Sequence, residues 1–162
     1  MNTRKLVILA FLSAILTVQE EVLSFLPNIQ LTFFLLVLYA KKLNFSDTLF
    51  VITLHVLFDN LFVGSFNLVY TPIMWIGYSF IPILSNTIFK KINTPLKLAI
   101  TGVLYSLLYC WTFVLGSVFI MNVPFMSYFI ADLPFELILS ICTFLSILWL
   151  YEPCAKLFDR LL

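Results

Sequence analysis

No lysine or arginine falls between Lys5 and Lys41, between Lys42 and Lys90, or between Lys97 and Lys156, and these intervals are apolar almost throughout. The nine basic residues, Arg4, Lys5, Lys41, Lys42, Lys90, Lys91, Lys97, Lys156 and Arg160, are confined to a few narrow points of the chain. Soluble domains interleave charge at roughly one residue in four. Here 62% of 162 residues are hydrophobic and 10% charged, which excludes an ordinary soluble domain and identifies an integral membrane protein. A hydrocarbon layer about 30 Å thick needs about 20 apolar residues per helix, so the length accommodates about six spans and no soluble domain. The expected fold is all-α: one compact bundle of six transmembrane helices over residues 1–162.

The first apolar run follows Arg4-Lys5 and passes through Gln19–Glu21 into further apolar sequence without a small-x-small cleavage site. It reads as a retained helix over about 6–25 and not as a signal peptide, ending before Pro27-Asn28. The second, about 29–40, stops at Lys41-Lys42; at about 18 Å it is short for a span and is expected to be sheltered by its neighbours. Ser46 as N-cap with Asp47 in the first turn opens the third, about 46–63. Thr71-Pro72 and Thr94-Pro95 each pair a cap with proline at the first helical position. They open the fourth helix, 72–89 with a kink at Pro82, and the fifth, 95–120, where Gly102 and Gly116 are close-approach points. The sixth is expected over 128–151, halted by Pro153, with 154–162 a short amphipathic helix on the membrane surface.

With six helices, the basic points become the N-terminus, the 2–3 and 4–5 connections and the C-terminus, all on one side. By the positive-inside rule that side, with both termini, is expected to be cytoplasmic in a multi-pass membrane protein. Cys110, Cys142 and Cys154 are odd in number and widely spaced, fitting small core residues better than disulfides or a zinc site.

Asp47, Glu152 and Asp159 lie among the lysines. The other five acids, Glu20, Glu21, Asp59, Asp132 and Glu136, share one depth in the outer third of the bilayer with no base nearby. A carboxylate at a helix centre costs about 3 kcal/mol on insertion scales, and five together call for a polar cavity or a partner. The alternative is that they flank loops in outer water; adjacent Glu20 and Glu21 cannot both point inward. His55 and Asp59 are four apart on one helix face, within hydrogen-bonding reach of each other, though a lone membrane histidine is more often a packed, satisfied side chain than a ligand. Asp132 and Glu136 have the same spacing, interrupted by Pro134. With Asn60, Asn67, Tyr70 and Trp75 close by in sequence, the outer half combines carboxylates, amides and aromatics, a mixture suited to a small polar ligand with a flat or cationic portion. An interfacial aromatic belt is the other reading of Tyr70 and Trp75. The sequence carries no nucleophile–base pairing, metal-spaced cluster, phosphate loop or basic nucleic-acid patch, so no enzyme, metal, cofactor or nucleic-acid partner is expected.

Helix 1 contains Ala10-Phe11-Leu12-Ser13-Ala14, a small-xxx-small face that admits another helix. Together with six helices, a short second helix, cytoplasmic termini and a polar outer half, the chain resembles the substrate-binding S component of an energy-coupling factor (ECF) vitamin transporter. The stretches LPNIQLTFFLLVLYAKKL and FDNLFVGSFNLVYTPIMWIGY are similar to S components grouped with the cobalamin, hydroxymethylpyrimidine and pantothenate carriers. The resemblance implies that Ala10 and Ala14 dock on a membrane scaffold subunit, that a water-soluble vitamin binds in the outer half, and that two cytoplasmic ATPases drive toppling of the S component. The absence of Lys and Arg from that half opposes a strongly anionic vitamin and suits a cobalamin-like or aminopyrimidine-like ligand. Two other classes stay open. One is a structural subunit of the cell-wall elongation (rod-shape) complex, suggested by LLVLYAKK and by Asp59 followed by Gly64-Ser65. The other is a self-sufficient small transporter, for which the internal repeat common in such carriers is missing.

Overall fold

A computed structural model of the chain describes residues 3–62 and 67–161. Residues 63–66, with the end expected for the third helix and the Gly64-Ser65 pair, lie outside the described residues. Among those described, every element is helical: α1 (Thr3–Leu23), α2 (Thr32–Lys42), α3 (Phe45–Phe62), α4 (Tyr70–Asn86), α5 (Pro95–Met121) and α6 (Phe125–Leu161). Four are long and apolar enough to cross a membrane, α1, α3, α5 and, within α6, Phe125–Arg160. The chain is a multi-pass helical membrane protein. The expected six helices are present, but α2, with 11 residues, is only about 16 Å long and cannot cross the hydrocarbon layer alone.

That short helix is the core. α2 packs against all five other helices, and α1, α3, α4, α5 and α6 follow one another around it in that order. Phe33, Phe34, Leu36, Val37, Leu38 and Tyr39 are all buried, spread around the whole circumference of α2. A helix surrounded by protein has no need of a polar face. The outer helices are apolar on their exposed faces as well, with Val7, Phe11, Val18, Leu115, Phe119, Ile141 and Trp149 pointing outward. A surface this apolar is matched to lipid and not to water.

The basic ends meet at one pole. Lys5 pairs with Asp47 at 2.8 Å, joining the starts of α1 and α3, and Lys42 pairs with Asp159 at 2.6 Å, joining the ends of α2 and α6. Lys41 Nζ donates to the Phe89 carbonyl at 2.8 Å, just beyond the end of α4. The expectation that these ends share one side of the bundle is met.

Local details differ from the sequence reading in three places. α4 begins at Tyr70, so Thr71 is inside it; the turn that leads into it is held by Asn67, whose Oδ1 accepts from the backbone N–H groups of Val69 (2.8 Å) and Tyr70 (3.1 Å). α3 begins at Phe45, which puts Ser46 inside the helix and not at its cap. α6 does not stop before Pro153 but runs through Pro134 and Pro153 to Leu161, so the tail is not a separate surface helix. A proline removes one backbone bond, and here the burial of Tyr151 and Ala155 on either side holds the helix together. The close approaches expected at Gly102 and Gly116 are present: a Cβ at Gly102 would overlap Ile147 of α6, and one at Gly116 would overlap Ile73 of α4.

Candidate functional site

At the pole away from the lysines, the helices and the turn before α2 close around a cavity of about 530 Å³. The turn is shaped by Pro27 and by Asn28 in the left-handed conformation (φ 59°). It is stitched to α1 by Gln19, whose Oε1 accepts from Leu31 N–H at 2.8 Å and whose Nε2 donates to Thr32 Oγ1 at 2.7 Å and Leu16 O at 2.9 Å. Gln19 thereby anchors the entry to α2, and the chain above it folds back as one wall of the cavity.

Three of the five outer acids line the cavity: Glu20 from α1, Asp59 from α3 and Asp132 from α6. Met74 of α4, Tyr109, Cys110 and Phe113 of α5, and Tyr128 and Leu139 of α6 complete the walls. No lysine, arginine or histidine is among these lining residues. Of the adjacent pair, Glu20 points inward. Glu21 is turned aside, with its Oε1 buried and lacking a hydrogen-bond partner among the described residues.

His55 is wholly buried beneath this floor. Its Nδ1 lies 3.2 Å from Thr17 Oγ1, and its Nε2 lies 3.1 Å from Glu20 Oε2, a close polar contact without hydrogen-bond alignment. The partner expected for His55 was Asp59 on its own helix; the contact instead goes to α1, because the ring packs beside Tyr78 (5.6 Å between centroids) and faces inward from α3. Glu20 Oε2 also accepts from Thr32 Oγ1 at 3.1 Å, so this carboxylate is held by α2 and α3 together. The α2 N-terminus favours a negative charge at that point.

The remaining candidates serve the scaffold. Asn60 Oδ1 accepts from Thr71 Oγ1 at 2.8 Å and so ties α3 to α4, as does Trp75, whose Nε1 donates to Thr53 Oγ1 at 3.0 Å. Asn67 holds the turn into α4. Tyr70 stacks on Phe113 with 6.1 Å between centroids, next to the cavity wall. Glu136 is buried and accepts from Trp111 Nε1 at 3.1 Å, in the α5–α6 seam. The docking candidates Ala10 and Ala14 are both exposed on the outer face of α1, a peripheral helix that among the described residues touches only α2 and α3.

Several site residues were not singled out from sequence: Thr17, Gln19, Gln30, Thr32, Tyr109, Phe113 and Tyr128. Gln19 and Gln30 are isolated amides in apolar runs, the signal that could have found them. The aromatics are hidden among 18 Phe and 7 Tyr in the chain. In comparisons with known proteins, no family model, no curated protein and no solved structure matches the chain.

Proposed function

We propose that the chain is the substrate-binding subunit of an ECF-type vitamin transporter, crossing the bacterial cytoplasmic membrane six times with both termini inside. The ligand binds in the cavity above α2, and the Ala10–Ala14 face of α1 docks on a membrane scaffold subunit driven by two cytoplasmic ATPases. The observation that carries this reading is the 530 Å³ cavity lined by three carboxylates at the pole opposite the lysines, the end that faces outward under the positive-inside rule. The exposed small-residue face of α1 supports the second half, since it leaves Ala10 and Ala14 open to a partner helix. The cavity volume favours a one- or two-ring ligand of aminopyrimidine type; a corrinoid would overfill it. The acidic lining is consistent with that choice and disfavours an anion.

The test is native mass spectrometry and calorimetry of the purified chain across a vitamin panel. One vitamin is expected to bind at micromolar affinity or tighter. No ligand, together with no co-purifying scaffold and ATPases, would overturn the reading. Ala10→Trp and Ala14→Trp are expected to abolish uptake while leaving binding intact; loss of binding would make that face internal packing.

A further inference from the structure

We infer that the ligand of this cavity is an organic cation with two nitrogen ends separated by an apolar or aromatic middle, one end held at Asp59 and the other at Asp132. The inference rests on the carrier reading and specifies its substrate class.

The three lining carboxylates are not equivalent. Glu20 is engaged by His55 and by the Thr32 hydroxyl, at 3.1 Å each. Asp59 and Asp132 make no hydrogen bond or ion pair with any described residue, although both line the cavity. They stand on α3 and α6, helices that do not touch each other among the described residues, so the cavity separates them. The Tyr109 and Phe113 rings of α5 lie in the wall, 5.0 Å apart between centroids, and Tyr128 joins them from α6. A negative site at each side with aromatic faces between them is complementary to a two-ended cation, whose middle packs on the rings and whose charges also gain from their π faces. Among the described residues, His55 contacts Glu20, and neither Asp59 nor Asp132 forms an ion pair.

The floor also has unused hydrogen-bonding capacity. His55 is wholly buried, with Nε2 directed toward the cavity side at Glu20 and no aligned hydrogen bond. Tyr78, also wholly buried, stacks on the cavity-lining Tyr109 with 4.5 Å between ring centroids. Buried polar groups are seldom left unmatched unless something else completes the site.

Three probes of one shape and graded charge test this: p-xylylenediamine, benzylamine and neutral 1,4-benzenedimethanol, titrated into the full chain in lipid nanodiscs at low salt. The diamine is expected to bind about tenfold or more tighter than benzylamine, and the diol weakest. Asp59→Asn and Asp132→Asn, each verified as monodisperse and helical, should each lower diamine affinity to about that of benzylamine. Equal affinity for diol and diamine, no diamine binding at about millimolar concentration, or indifference to both substitutions overturns the inference. A chain that retains a neutral vitamin from the panel yet rejects the diamine loses this inference alone; a chain that retains nothing loses the carrier reading with it.

Discussion

Gly77→Ala tests the link between helix packing and the cavity wall. Gly77 is buried in α4, and a Cβ there would stand 2.7 Å from Tyr109 Cδ2, where ordinary contact begins at 3.4 Å. The ring must retreat by about 0.7 Å. It has little freedom to do so, because Tyr78 stacks on it at 4.5 Å, Phe113 packs at 5.0 Å and Phe33 meets it edge-on at 5.4 Å between centroids. Overpacking of this kind costs about 1–3 kcal/mol, partly offset by the roughly 1 kcal/mol that alanine gains over glycine within a helix. The net expectation is a destabilisation of up to about 2 kcal/mol, read as a fall of up to about 8 °C in the thermal midpoint followed by circular dichroism in mild detergent. Because Tyr109 lines the cavity, ligand affinity should drop in the same variant. The control is the same substitution in a Tyr109→Leu background, where the clash is gone and alanine should be neutral or stabilising. A Gly77→Ala protein more stable than its parent, or an equal loss in both backgrounds, would refute the reasoning.

Two further outcomes follow from the hydrogen bonds beneath the cavity. Gln19→Leu leaves the Leu31 N–H and the Thr32 hydroxyl without their amide partner and should cost about 1–3 kcal/mol, again read from the thermal midpoint. His55→Leu removes the buried imidazole that contacts both Thr17 and Glu20, leaving those polar groups without it, and should cost about 1–3 kcal/mol. His55→Gln should recover part of it by donating to Glu20, and equal losses in the two variants would show that shape, not the Glu20 contact, is what His55 supplies.

Much of this architecture can be read from the chain because the bilayer imposes simple rules. The spacing of the lysines places the helix ends, and a helix as short as 29–40 has to be enclosed, as α2 is. The common depth of Glu20, Asp59 and Asp132 also follows from counting residues along the helices. Rotation about each helix axis is different. In a soluble helix the polar face marks the outside, but here both the lipid side and the protein side are apolar, so the pattern carries little information on facing. For this reason Trp75 and Asn60 turn out to bind α3 to α4, Glu136 lies in the α5–α6 seam, and His55 reaches across to Glu20 rather than along its own helix to Asp59. Pro153 misleads for a related reason: proline ends an isolated helix, whereas tertiary packing carries α6 past it.

The measurement closest to the central claim is thiol accessibility in intact cells. Ser24 is exposed and lines the cavity, while Lys91 is exposed beside the opposite pole. In a background with Cys110, Cys142 and Cys154 replaced, Ser24→Cys should react with a membrane-impermeant maleimide from outside and be slowed by the vitamin that the binding panel identifies. Lys91→Cys should react only after permeabilisation. Labelling of Lys91→Cys from outside, or a Ser24→Cys rate unchanged by that vitamin, would contradict an outward-facing ligand site above α2.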